Sequence, residues 1–483
     1  MSLPAWLEPL PDAPAQRAID RWAIDTLGIA ADTLMERAGT ALARLTGAIV
    51  PNGRIAVLAG KGNNGGDGRV AARALAAHGR EVTLIEVTDA DPVDLDRITG
   101  AAAVIDALLG TGASGPPRPA AAAAIAAINA AADGGAVIIA ADVPSGVDAS
   151  SGEVAAEAVR AAHTVTFHAA APGLWLAPGK AHAGEVTIVD IGIPAVGAPV
   201  RLDTGLLTEA VLGEVPRRRA DSTKFTSGHL LAVAGSARYT GAPALVARAA
   251  ARAGAGYVTV SVPAAVLPVL AAKLLEEMVA DRTDLDDRFD RADVVVLGPG
   301  LGREDDIPAL VRRVSAGAAG PLVLDADGLN ALGTDLEALS FRSGATVITP
   351  HAGELGRLLG RPSSEIAARR LACAREAATR SGAVVVLKGD DTIITDGVQT
   401  AISPGGVPAL ATAGTGDVLA GVIGAYLARG MEPFCAAAAG VYAHLRAGAL
   451  AAAAVGAEGL IASDVIERLG LVFVDGFEPE GRS

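Results

Sequence analysis

Two stretches of this chain bring glycines, small polar residues and an aspartate within a few positions of one another. Residues 60–68 read G-K-G-N-N-G-G-D-G, and residues 411–417 read A-T-A-G-T-G-D. Glycine adopts positive φ and lets a backbone approach a ligand closely, so successive N–H groups can converge on phosphate oxygens. The loops differ in design and lie far apart, which predicts two phosphate-bearing sites in two domains. In the second loop, Gly414, Thr415 and Gly416 open a predicted helix. Their N–H groups and the helix dipole suit a transferred phosphoryl group, and Asp417 is placed to take a proton from an attacking hydroxyl. K-G-D-D-T (388–392) ends a strand before it, with Lys388 able to neutralise nucleotide phosphates.

The first loop follows a strand and opens a helix, the context a phosphate loop needs. No Gly-Lys-Ser/Thr follows, so it is not a Walker loop. Asn63, Asn64 and Asp67 add side-chain oxygens, which predicts a loop that binds more than phosphate. Two further strand ends are polar and glycine-flanked: D-A-L-L-G-T-G-A-S-G (106–115) and D-V-P-S-G-V-D (142–148). In an open parallel sheet the carboxyl ends of the strands form the ligand crevice, so the three segments can converge. Asn64, Asp106 and Ser145 offer hard oxygen ligands without a carboxylate cluster, a set suited to a monovalent cation rather than Mg or Zn. Each aspartate alone reads equally well as a turn residue or helix N-cap; three on successive strands weaken that alternative.

The elements that must carry these loops alternate between short apolar runs and helical stretches, the pattern of α/β architecture with mostly parallel sheets. Strands are predicted at 54–59, 81–87, 102–107, 136–142 and 164–167, with helices over 13–47, 69–78 and 120–132. Residues 194–228 are rich in Pro, Gly and charge, which puts a domain boundary near 200–220. Strands then resume at 229–235, 257–262, 294–298, 321–327, 346–351 and 383–389, and the last stretch is strongly helical. A chain of 483 residues needs at least two cores. A net charge of −14 argues against nucleic-acid or anionic-membrane partners. Cys373 and Cys435 do not make a disulfide framework. The N-terminus has no secretory pattern, and the alanine runs fall short of the ~20 apolar residues that span a bilayer. The expectation is a soluble cytoplasmic protein.

On L-M-E-R-A-G (34–39), G-N-N-G-G-D-G (62–68), D-A-L-L-G-T-G (106–112), D-V-P-S-G-V-D (142–148), P-G-L-W-L-A-P-G (172–179) and V-D-I-G-I-P (189–194), residues 1–205 resemble the YjeF N-terminal domain, the NAD(P)H-hydrate epimerase family. The resemblance implies a Rossmann-like three-layer αβα domain that interconverts the R and S hydrates of NADH and NADPH. It implies a potassium ion held by Asn64, Asp106 and Ser145. Substrate contacts would come from Asn63, Asn64, Gly65, Gly66, Asp67, Gly110, Thr111, Gly112, Ala113, Ser114, Gly115, Pro116 and Asp142, with Asp142 as the acid/base. Many relatives carry a lysine in T-F-x-x-x-K-x-G where this chain reads T-F-H-A-A-A-P-G (166–173), which raises His168 as a substitute.

Residues 215–478 resemble the ribokinase-like superfamily and, within it, the YjeF C-terminal domain, an ADP-dependent NAD(P)H-hydrate dehydratase. The segments are G-H-L-L-A-V-A-G-S (228–236), T-G-A-P-A-L (240–245), R-A-G-A-G (252–256), G-P-G-L-G (298–302), D-A-D-G-L-N (325–330), T-P-H-A-G-E (349–354), L-K-G-D-D-T (387–392) and A-G-T-G-D (413–417). The resemblance implies a second αβα domain in which Ala242, Gly302, His351 and Asp417 contact the hydrate. Lys388, Gly389, Asp390, Asp391, Thr392 and Gly416 would bind the adenine nucleotide, with Mg and with Asp417 as base. It implies ADP as co-substrate and a homo-oligomer. A small-molecule kinase shares the G-T-G-D loop but predicts neither the N-terminal domain nor T-P-H-A-G-E. A non-catalytic binding protein would need no Asp142 or cation ligands.

Overall fold

The computed structural model describes residues 3–89, 95–194 and 197–474; the outermost residues of the two expected segments, 1–2 and 475–478, lie outside them. The chain divides into two compact units, one of residues 9–205 and one of residues 4–8 and 206 onward. Residues 4–8, which the sequence reading grouped with the first segment, therefore run in the second.

The first unit is built on a six-stranded parallel sheet in the order Val82–Glu86, Ile55–Ala59, Ala103–Ala107, Val137–Ala141, His163–Phe167, Glu185–Val189. Strand residues alternate between two apolar clusters. Ile55, Val57, Ile105 and Ile139 face one, with Leu42 and Leu75. Ala56, Leu58, Val104 and Ile138 face the other, with Ile125 and Ile128. Both faces are covered, as an all-parallel sheet requires, and the unit has the three layers expected. The order reverses at Ile55–Ala59, so the chain leaves its carboxyl end and that of Ala103–Ala107 in opposite directions. That switch point opens a crevice, lined on one side by residues 60–64 and 67 and on the other by residues 108–116.

The single helix expected over 13–47 is two, Ala13–Asp25 and Ala31–Ile49. The break falls at Gly28, whose φ of +70° is outside the helical region. The second of these crosses the helix Asn63–Ala77 at Gly39, where an added Cβ would stand 2.4 Å from Val70 Cβ and 2.6 Å from the Asp67 carbonyl oxygen. Gly39→Ala should therefore destabilise the protein by about 1–3 kcal/mol, the cost of overpacking, and shift the loop at 60–68. Thermal unfolding of the variant measures the first effect.

The second unit carries an eleven-stranded sheet. Its parallel part runs Val384–Leu387, Thr346–Ile348, Leu322–Leu324, Val294–Leu297, His229–Val233, Tyr257–Val262, Met278–Asp281. Beyond Val384–Leu387 lie the antiparallel strands Ile393–Thr395 and Thr400–Ile402, then Thr204–Leu207 and Leu7–Pro9. These last four, and Met278–Asp281, were not expected from the sequence. Three are only three residues long, too short to show a period of two. Trp6 is 5% exposed, and its ring centroid lies 5.9 Å from that of Phe434.

The helix Thr415–Ala428 is buried from Val418 to its end. An added Cβ at Gly421 would meet the Val246 carbonyl oxygen at 2.4 Å, and one at Gly424 would meet Leu230 and Val296 side chains at 2.7 and 2.6 Å. Gly421 thus lets the helix approach the neighbouring helix Gly241–Arg252, and Gly424 lets it approach the sheet. The helix Pro433–Val455 has 23 residues and is long and apolar enough to cross a membrane, contrary to the expectation from the alanine runs. Here it is a core helix that buries Phe434, Val441 and Leu450.

Candidate active sites

In the first unit the crevice is a cavity of about 760 Å³. Of the residues singled out from the sequence, Asn63, Asn64, Asp67, Gly110 to Pro116 and Asp142 line it. Gly65 and Gly66 lie behind the wall. An added Cβ would stand 1.8 Å from the Gly60 carbonyl oxygen at Gly65 and 2.6 Å from Met35 Sδ at Gly66, so their part is to let the loop fold tightly. His168 does not line the cavity; burial lowers its pKa, opposed by Asp190 and the Ile193 backbone.

Asp142 leaves its strand at φ +66°, a conformation that side chains other than glycine adopt rarely and that clusters at functional sites. The turn aims its carboxyl at the crevice. Oδ2 accepts from the Thr111 N–H at 3.0 Å, and Oδ1 accepts from Thr166 Oγ1 at 3.4 Å. Burial raises the Asp142 pKa, opposed by these hydrogen bonds and reinforced by Asp20. Asp67 is pushed up to about 8, by burial first and then by the charges of Asp142 and Asp20. Like-charged carboxyls in one cavity share protons rather than all ionise. Asp20 and its hydrogen-bonded neighbour Gln16, 3.0 Å apart, come from the helix Ala13–Asp25, which carries no motif. Their spacing of four on one helix face was the one sequence sign that they sit together.

Asp106 lies fully buried beneath this floor. Its carboxyl accepts from Ser145 N at 2.8 Å, Ser145 Oγ at 2.7 Å and Leu108 N at 3.2 Å. Burial drives its pKa up to about 6 against those three bonds. Asn64 donates from Nδ2 to the Leu109 carbonyl at 2.9 Å, and its buried Oδ1 has no hydrogen-bond partner. Leu109 links the three residues, since its N–H donates to Ser145 Oγ at 2.9 Å. An orphaned buried acceptor on the same backbone segment as a hydroxyl and its carboxyl partner is a donor set of hard oxygens, which fits a cation such as potassium.

In the second unit Lys388 organises the site. Its Nζ donates to Asp325 Oδ1 at 2.9 Å and stands 3.7 Å from Glu354 Oε2. It would be 3.5 Å from a Cβ at Gly416, so the ammonium lies beside the phosphate loop. Burial works against its charge, but Asp325, Glu354 and Asp417 together hold its pKa above the ordinary value. Asp417 is pushed up to about 7, by burial first and then by Asp325 and Asp327, against the pull of Lys388. A carboxyl poised near neutrality matches a general base at physiological pH.

Other predicted residues take supporting positions. Gly302 N donates to Asp327 Oδ2 at 2.9 Å, and an added Cβ at Gly300 would stand 3.0 Å from Ala242 Cβ. His351 is the N-cap of the helix Ala352–Leu359: its Nδ1 accepts from Gly353 N at 2.9 Å, and Glu354 reaches back to the His351 N–H. Its ring remains largely exposed. Within 388–392, Asp391 pairs with buried Arg370 at 2.9 Å, and Arg370 also donates to the Leu387 and Lys388 carbonyls, both at 3.3 Å. Asp390 Oδ1 accepts from Gly406 N at 2.7 Å, and Thr392 Oγ1 donates to the Gly389 carbonyl at 2.8 Å. These side chains brace the loop. Asp325, Glu354 and Arg370 were not singled out from the sequence, although D-A-D-G-L-N and T-P-H-A-G-E contained the two carboxylates.

Residues 31–97 and 86–173 match the family described as YjeF-related protein N-terminus, and residues 230–470 match that described as NAD(P)H-hydrate dehydratase. The chain is 37% identical to the bifunctional NAD(P)H-hydrate repair enzyme Nnr of Moorella thermoacetica, over 93% of this chain and 94% of that protein. It is 39% identical to the enzyme of the same name from Pyrobaculum aerophilum, over 92% and 94%. The crystal structure of an ADP/ATP-dependent NAD(P)H-hydrate dehydratase from Bacillus subtilis, co-crystallised with ATP and Mg2+, superimposes with a TM-score of 0.50 at 31% identity. It covers 55% of this chain and 96% of that one.

Proposed function

We propose, for a chain that belongs to the family of bifunctional NAD(P)H-hydrate repair enzymes, that its two cavities perform consecutive steps of cofactor repair. The first unit epimerises R- and S-NAD(P)H hydrate; the second dehydrates the S form to NAD(P)H with ADP, giving AMP and phosphate. The observation that carries the reading is the pair of half-buried aspartates, Asp142 at a strand end and Asp417 in the first turn of the helix Thr415–Ala428, each beside a glycine-rich loop and held above the ordinary carboxyl pKa.

In the first unit, protonated Asp142 gives its proton to the ring hydroxyl. The ring-nitrogen lone pair expels water and leaves a planar iminium. Water adds to the opposite face and returns a proton to Asp142. Asn64, Asp106 and Ser145 would hold potassium, whose charge offsets negative charge near the dinucleotide. Thr111 and Thr166, by hydrogen bonding to Asp142, keep its carboxyl aimed at one atom.

In the second unit, Asp417 takes the proton of the ring hydroxyl as its oxygen attacks the terminal phosphorus of ADP and AMP departs. The nitrogen lone pair then expels phosphate, and loss of a proton from the adjacent carbon restores the dihydropyridine ring. Lys388 and the N–H groups at Gly416 bind the phosphates. Magnesium would be held with the nucleotide phosphates and would neutralise their charge; the excess of carboxylates (Asp325, Asp327, Glu354 and Asp417) over the Lys388 ammonium suits such a cation. The same reading includes a cytoplasmic location and a homo-oligomer, the second of which sedimentation of the purified protein tests.

Mixing the protein with racemic NADH hydrate, Mg, K and ADP, and following the reduced-nicotinamide absorbance, tests the whole scheme. Full recovery is expected, with inorganic phosphate released. Recovery that stops at half would remove the epimerase assignment. A stable phosphorylated product would replace the dehydratase by a kinase, and recovery with ATP alone would overturn the choice of ADP.

A further inference from the structure

We propose that Asp325 is a positioning residue of the dehydration step, holding the Lys388 ammonium beside the phosphate loop and keeping it from closing on Asp417. The proposal rests on the dehydratase reading of this site. Asp325 ends the strand Leu322–Leu324 and is 1% exposed. Its N–H donates to the Leu297 carbonyl at 3.0 Å. Its own carbonyl lies 1.9 Å from where a Cβ on Gly298 would stand, and the next residue, Ala326, is held at φ +50°. The carboxylate is thus mounted on backbone that cannot readily shift.

A buried carboxylate is costly unless paired, and here the partner is Lys388 at 2.9 Å. Lys388 comes from the next strand but one, at the end of Val384–Leu387. The other anions facing its ammonium are Glu354 and Asp417. Glu354 is fixed at 3.7 Å by its bond to the His351 N–H. Asp417 faces Asp325 and Asp327 as well as Lys388. His444, buried behind Thr415, faces Lys388 as a neutral ring whose pKa burial pushes down to about 4, so it adds no second cation. An ammonium released from Asp325 would pass to Asp417, bind the carboxylate and make it a weaker base. The same move would take it from the phosphates.

The test is the pH dependence of ADP-driven dehydration of S-NADH hydrate by the full chain. Asp325→Asn should lower kcat/KM for ADP at least tenfold and move the acid limb of the kcat profile to lower pH. Lys388→Gln should move that limb to higher pH, because the base then loses the pull of the Lys388 ammonium. A general loosening of the loop would lower rates without moving the limbs apart. Limbs that stay in place, or that move in the same direction, overturn the proposal. If Asp325→Asn does not fold, as judged by near-UV circular dichroism, Asp325→Glu decides: it keeps the charge but displaces the carboxylate from Lys388, so a KM for ADP raised at least threefold supports the proposal and an unchanged KM overturns it. Wild-type protein with no ADP-driven dehydration would instead overturn the function on which the proposal rests.

Discussion

Asp417→Ala should lose dehydration by about 10²–10⁴-fold, the usual contribution of a positioned general base, while epimerisation proceeds at the wild-type rate. The two aspartates belong to separate compact units with separate sheets, so the substitution leaves the first cavity untouched. KM for ADP should change little, since Lys388 and the loop N–H groups bind the phosphates. The sign of the wild-type pH dependence follows from the same carboxyl. With its pKa at about 7, Asp417 is mostly protonated below neutrality and cannot accept the hydroxyl proton. Dehydration should fall roughly tenfold per pH unit on the acid side, and that limb should vanish from the residual rate of Asp417→Ala. Rates of NADH formation from pure S-hydrate between pH 5 and 8.5 check both. A variant that keeps normal turnover removes Asp417 as base.

The parallel cores were legible in the sequence because buried strands such as Ile55–Ala59 and Val294–Leu297 are short unbroken apolar runs bounded by glycine. The glycine-rich loops at their ends were legible for the same reason, since few other residues tolerate such backbone approach. What escaped was anything without local pattern. The break at Gly28 hides within an otherwise continuous helical periodicity. The short strands at the edge of the second sheet have no room to show a period. Gln16 and Asp20 reach the first cavity from a helix with no motif, and Asp325 and Arg370 act only through partners distant in sequence, Lys388 and Asp391. Sequence spacing shows which side chains share a face. It does not show which buried charge another strand must answer.

Asp142→Asn should abolish epimerisation, again by about 10²–10⁴-fold, and leave dehydration of S-hydrate intact. The amide keeps the size of the side chain and can still accept from Thr111 N–H, so the turn at φ +66° survives and the loss reports on the proton. Starting from racemic hydrate, recovery of NADH should stop near half, with R-hydrate persisting except for its uncatalysed interconversion. The pH dependence has the opposite sign to that of Asp417. The epimerase needs the protonated carboxyl, which burial preserves to higher pH than in an ordinary aspartate. Asp67, with a pKa of about 8, stays protonated through neutrality and limits the negative charge in the cavity. Epimerisation should therefore decline as the pH rises through the titration of Asp142, at a higher pH than an ordinary aspartate would give. Loss on the acid side instead would mean that Asp142 works first as a base. Equal loss of both activities in Asp142→Asn would mean that the second unit depends on the first for its fold, and would remove the assignment of one step to each.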